Sequence, residues 1–102
     1  NLQKLIVARE LGQETPLLIA AEPTRGVDIG AMEYIHEALI EKRNKGEAVL
    51  LVSSELSEIM ALSDRILVMY EGEIAGEMDR QNATEEAISV LMAGGNHHES
   101  KN

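Results

Sequence analysis

Four side chains in this sequence combine reactive chemistry with a placement that could use it: Glu22, Asp28, Ser53 and Ser54. Glu22 directly follows an apolar run and directly precedes Pro23. A carboxylate at a strand tip, half shielded from water, can act as a general base or orient a water molecule. It can equally be a solvated acid that merely ends the strand. Asp28 has the choice between a functional carboxylate and a helix cap, and on spacing the cap is favoured. Ser53 and Ser54 open a short helical stretch. One of them reads as its N-cap, and the alternative is a hydroxyl presented to a ligand phosphate. His36 falls mid-helix beside Glu33 and Glu37 and reads as a surface residue, while His97 and His98 with Glu99 do not make up a four-ligand metal site.

The elements that must position these groups follow from hydrophobic periodicity. Leu2, Leu5, Ile6, Ala8 and Leu11 form a helical stripe that Gly12 stops. Pro16–Ala21 is a continuous apolar run between two prolines, the pattern of a strand buried on both faces. Asp28 caps the next predicted helix, with Ala31, Met32, Ile35, Ala38 and Leu39 inward, Glu33, Glu37 and Glu41 outward, and Gly46 closing it. Ala48–Val52 is a second buried strand. A short helix over Glu55–Leu62 turns Leu56, Ile59 and Met60 inward. Asp64–Tyr70 reads as a third strand, Glu71-Gly72 as a turn and Glu73–Met78 as its hairpin partner. Thr84 caps a last helix, with Glu85 and Glu86 favourably placed at its N-terminus, and Gly94-Gly95 ends it. Residues 96–102 are polar and expected to be disordered. Alternating strands and helices place the chain in the α/β class, with a parallel sheet and right-handed crossovers. In such sheets chemistry sits beyond the carboxyl ends of the strands. Here those ends are Glu22–Asp28 and Ser53–Glu55.

Composition narrows the function further. The 102 residues amount to one small domain or a piece of one, and a chain that opens on Asn1 without a methionine suggests a fragment or a processed product. Nine Lys and Arg against eighteen Asp and Glu give a net charge of −9. That charge disfavours nucleic acid and anionic membrane surfaces as partners. Aromatics at 2%, with no Phe and no Trp, disfavour base stacking and make the core aliphatic. No apolar run reaches the roughly 20 residues of a membrane span. Zero cysteines exclude disulfides, zinc–thiolate sites and thiol catalysis.

The order of segments carries a resemblance. Leu17-Leu18-Ile19-Ala20-Ala21-Glu22-Pro23-Thr24 looks like the Walker B strand of an ABC-transporter ATPase with its Glu-Pro-Thr. Arg25-Gly26-Val27-Asp28 resembles the D-loop, and Leu50-Leu51-Val52-Ser53-Ser54-Glu55 stands where that family has its switch loop. Ser63–Gly72 is similar to the following strand and turn, and Asn1–Leu11 to the helix after the signature motif. Residues 1–95 thus resemble the C-terminal part of the second ATPase half of a fused simple-sugar or nucleoside importer subunit, a three-layer nucleoside-triphosphatase core.

The resemblance implies that Glu22 polarises the attacking water and that Ser54 approaches the γ-phosphate. It also implies that Ser53 and Asp28 belong to the nucleotide site and its coupling to the other ATPase half. ATP and Mg²⁺ would be the cofactors of a full-length protein peripheral to the cytoplasmic face of the membrane, with permease subunits, the other ATPase half and a substrate-binding protein as partners. Two departures stand out: the magnesium-directed aspartate is Ala21, and the switch-loop histidine is Ser54. A Gly-x-x-x-x-Gly-Lys phosphate loop is not in the sequence, so these residues alone are expected to bind ATP negligibly and to be inactive. The family's phosphate-loop strand would separate the second and third strands. Its loss leads us to expect either that the third strand closes the gap or that two chains pair through exposed edges. Two readings follow: part of a hydrolysing ATPase, or a degenerate half that binds nucleotide as a coupling clamp. A receiver-like α/β domain would need clustered acids after the first strand, and Asn1–Leu11 offers none.

Overall fold

The computed structural model describes residues 16–94. The helix expected over Leu2–Leu11 and the tail 96–102 lie outside the described residues. The chain divides into two units, Asn1–Ser54 and Glu55–Asn102.

In the first unit, β1 (Leu17–Ala21), α1 (Ile29–Asn44) and β2 (Ala48–Val52) form a β–α–β segment. The strands pair in parallel, Leu17 opposite Ala48 and Ala21 opposite Val52. A sixteen-residue helix between them is the long crossover that parallel pairing demands. Asp28 caps α1 by accepting the Ala31 N–H at 2.8 Å. Beyond its C-terminus Gly46 takes φ +90°, which a side chain would resist. Ala31, Ile35 and Leu39 are buried along one stripe, Ile35 completely, and α1 packs on β2. The stripe continues to Lys42, which is 4% exposed and donates from Nζ to Glu47 Oε1 at 2.8 Å. This ion pair ties the end of α1 to the residue just before β2.

The two strands are not buried on both faces, as the apolar runs suggested. Exposure alternates along each: Leu17, Ile19, Leu50 and Val52 are 48–61% exposed, while Leu18, Ala20, Val49 and Leu51 are half-buried. A single crossover helix covers a single face, so period-two geometry leaves the other side open.

The second unit holds α2 (Leu56–Leu62), β3 (Arg65–Tyr70), β4 (Glu73–Asp79), a 3₁₀ turn (Arg80–Asn82) and α3 (Glu85–Met92). β3 and β4 make an antiparallel hairpin whose turn, Glu71-Gly72, takes φ +49° and +80°. Two successive positive φ angles are what a type I′ turn requires, and its twist matches that of the strands. The register shifts between Val68 and Met69, leaving Ala75 as the extra residue of a bulge. Ile66, Val68, Ala83, Ile88 and Leu91 form the core, and Leu56, Ile59, Met60, Ala75 and Met78 pack against it. Thr84 Oγ1 accepts the Ala87 N–H at 3.0 Å and caps α3. Arg80 Nε donates to the Met60 carbonyl at 2.6 Å, holding the hairpin's exit to α2.

The strands form a parallel pair, β1–β2, in the first unit and the expected antiparallel hairpin, β3–β4, in the second. β3 pairs with β4. Its hydrogen bonds go to β4 through a two-residue turn, and the entropy of closing so short a loop is far smaller than that of a non-local parallel pairing. Among the described residues no helix is long and apolar enough to cross a membrane.

Candidate functional site

The carboxyl ends of β1 and β2 lie side by side because the strands are parallel and in register. The β1 end is shaped by Glu22, whose φ is +47°. A non-glycine residue there is uncommon and costs free energy that its surroundings must offset. Its N–H still donates to the Val52 carbonyl at 2.7 Å, one rung beyond the β1 register. In an undistorted parallel ladder the Glu22 carbonyl would then accept from Ser54, two residues past Val52. That carbonyl has turned away and accepts the Arg25 N–H at 3.2 Å, opening the turn through Pro23, Thr24 and Arg25 to Gly26.

The side chain takes the vacated rung. Glu22 Oε1 accepts the Ser54 N–H at 2.8 Å, and Oε2 lies 3.4 Å from Ser54 Oγ, at the long end of hydrogen-bond range. Glu22 is half-buried and Ser54 exposed, so the pair keeps partial access to solvent. A carboxylate with one oxygen fixed by an amide and the other only lightly engaged can accept a hydrogen bond from an external donor such as water.

Glu22 and Ser54, residues 32 apart in sequence, are thus brought into contact. Asp28 is not brought to them. Its carboxylate serves as the N-cap of α1. Ser53 is half-buried beside Ser54. Neither serine caps α2: the N-cap is Glu55, and its side chain makes no capping bond. The serine-cap expectation fails because the Ser54 N–H is drawn into the β1–β2 ladder, which keeps the backbone extended one residue past the point where a serine cap would begin. Two residues of this region were missed by sequence reasoning. Thr24, 7% exposed, is sealed within the turn after Glu22, and Lys42 anchors the α1–β2 connection. Lys42 was detectable as the one charged residue at the next position of the Ala31–Ile35–Leu39 stripe.

At the position of the magnesium-directed aspartate Ala21 offers no oxygen, and among the described residues no three His, Cys, Asp or Glu gather as a metal site. These residues by themselves do not fit a resident magnesium ion.

No family model matches the chain. Individual relatives do. A guanosine import ATP-binding protein of Bacillus subtilis is 52% identical over 100 residues, covering 98% of this chain and 20% of that protein. A nucleoside import ATP-binding protein of Lactococcus lactis is 48% identical over 97% of this chain and 20% of its own length. A ribose import ATP-binding protein of Oceanobacillus iheyensis is 44% identical, again over 97% and 20%. The chain spans about a fifth of the length of these relatives. Among solved structures, an ATP-binding cassette of an ABC transporter in its ADP conformation matches with a TM-score of 0.59 at 25% identity. That match covers 82% of this chain and 32% of the cassette. Sequence and fold agree: the chain belongs to the ABC-transporter ATPase family and corresponds to one segment of its sugar and nucleoside import ATP-binding proteins.

Proposed function

We propose that this chain is the segment of a sugar or nucleoside importer's ATP-binding subunit that supplies the water-orienting carboxylate and the switch-loop serines for ATP hydrolysis. The observation that carries the reading is the Glu22–Ser54 contact, with the carboxylate at the β1 tip fixed through one oxygen and open through the other. In this reading ATP is the substrate. Glu22 accepts a hydrogen bond from the attacking water and aligns it, and Ser53 and Ser54 present the β2 tip to the terminal phosphate. Asp28, by fixing the start of α1, sets the D-loop that couples this half to the other ATPase half. Residues beyond this segment bind the phosphates and any accompanying Mg²⁺. Permease subunits form the pathway, a substrate-binding protein delivers the cargo, and the subunit sits peripherally on the cytoplasmic face.

One observation favours the rival reading, a coupling clamp that holds nucleotide without hydrolysing it. Ala21 places a methyl group where a metal-directed carboxylate would otherwise stand. Substituting Glu22→Gln in the full-length subunit, assembled with its permease, separates the two. The group stays isosteric and keeps an acceptor oxygen, but it can no longer take a proton. Loss of turnover by about 10²–10⁴-fold is the expected result for a positioned base. Turnover equal to wild type would establish the clamp.

A further inference from the structure

We propose that Ser54 acts on this reaction chiefly through its main-chain N–H, as a positioning residue for Glu22, with its hydroxyl contributing less to that positioning. The inference rests on the hydrolytic reading above and deepens it.

Geometry distinguishes the two donors of Ser54. The N–H lies 2.8 Å from Glu22 Oε1, the distance of a bond to an ionised acceptor. The hydroxyl lies 3.4 Å from Oε2, where a hydrogen bond contributes little. The N–H is also the group the ladder had to satisfy. Glu22 at φ +47° turns its own carbonyl out of the sheet and into the Arg25 turn, and its carboxylate then replaces that carbonyl as the acceptor of the next rung. The left-handed backbone and the side-chain rung are therefore one device. The first removes the main-chain acceptor and directs the side chain toward β2, and the second holds it there. A flexible glutamate at a loop tip samples several rotamers, whereas one bonded to the neighbouring strand is kept in a single orientation with Oε2 outward. Misplacement of a reacting group by about 1 Å costs on the order of 10²-fold in rate, so the rung bears directly on turnover.

The test is steady-state ATP hydrolysis by the intact importer carrying Ser54→Ala, Ser54→Pro and Ser54→Pro/Glu22→Gln, beside Glu22→Gln alone. Ser54→Ala keeps the N–H, and its loss of kcat is expected to be smaller than that of Ser54→Pro by about fivefold or more. Ser54→Pro removes the N–H, and kcat is expected to fall about tenfold or more with KM for ATP unchanged. In the Glu22→Gln background the proline substitution should add less than about twofold, because the group it positions no longer functions. A kcat loss in Ser54→Ala as large as that in Ser54→Pro would overturn the proposal by making the hydroxyl the working group. So would a proline effect that multiplies undiminished with Glu22→Gln, which would show Ser54 acting independently of Glu22. Wild-type turnover in Glu22→Gln is the separate outcome that removes the hydrolytic reading itself. If Ser54→Pro does not fold, a backbone ester at position 54, which removes the N–H without adding a ring, takes its place with the same expected loss of kcat.

Discussion

The carboxylates Glu22 and Asp28 stand six residues apart at the same end of the first unit and do different jobs. Glu22 crosses to the neighbouring strand, while Asp28 turns back on its own helix and satisfies one of the amides left open at the start of α1. That assignment has a measurable consequence. Asp28→Ala should lower the stability of the first unit by about 1 kcal/mol, and Asp28→Asn, which keeps an acceptor at the cap, by much less. Thermal denaturation of the two variants checks it. Equal destabilisation by both would show that the negative charge, and not the capping bond, is what Asp28 contributes.

At the element scale the hairpin and its helix are held by a close approach at Gly76. A Cβ built there would lie 2.6 Å from Leu91 Cδ1, closer than side chains approach one another, and a tight 3.2 Å from Cδ2. Gly76 thus lets α3 seat Leu91 directly on the β4 backbone. Gly76→Ala should cost about 1–3 kcal/mol by overpacking. Leu91→Ala alone should cost about 2–5 kcal/mol. The double variant should be less destabilised than the sum, because the added methyl group meets no δ-carbons once Leu91 is shortened. A double-variant cycle by chemical denaturation reads this coupling, and strict additivity would refute the contact. The elements themselves were largely legible. Asp28, Thr84 and the Glu71-Gly72 turn marked their helices and hairpin because each signal acts over three or four residues. What sequence could not show was non-local. The runs Leu17–Ala21 and Ala48–Val52 read as doubly buried because composition does not count how many layers cover a strand. β3 and its hairpin partner were legible, but the bulge at Ala75 was not, because periodicity does not mark where one residue is left out of the ladder. Of the site, Glu22 and Ser54 were legible as strand tips. The bond between them was not, since it depends on a backbone reversal at a glutamate, and φ at a single non-glycine residue leaves no trace in composition.

For the molecule as a whole, the relevant quantities are what it lacks in sequence and what it leaves uncovered. The 102 residues contain no Gly-x-x-x-x-Gly-Lys-Ser/Thr, the backbone cradle that supplies most phosphate affinity in this family's fold. Calorimetric titration of this chain alone should accordingly detect no tight ATP binding, and a micromolar dissociation constant would show that the strand tips bind nucleotide unaided. The uncovered surface predicts something more specific. In the first unit Leu17, Ile19, Leu50 and Val52 share one open face of a two-stranded sheet with no third strand among the described residues. Unpaired edges and an apolar face together template further strand pairing. With a net charge of −9, long-range repulsion opposes association, and salt screens it. Self-association of the isolated chain should therefore grow with ionic strength, the reverse of an association built on ion pairs. Sedimentation velocity at low and high salt reads this dependence directly. Ile19→Lys, at a position already 61% exposed, should leave the fold intact and shift the distribution toward monomer at every salt concentration. Association that weakens with added salt, or that Ile19→Lys does not touch, would place the contact elsewhere on the molecule and leave this face to be explained by another segment of the full-length subunit.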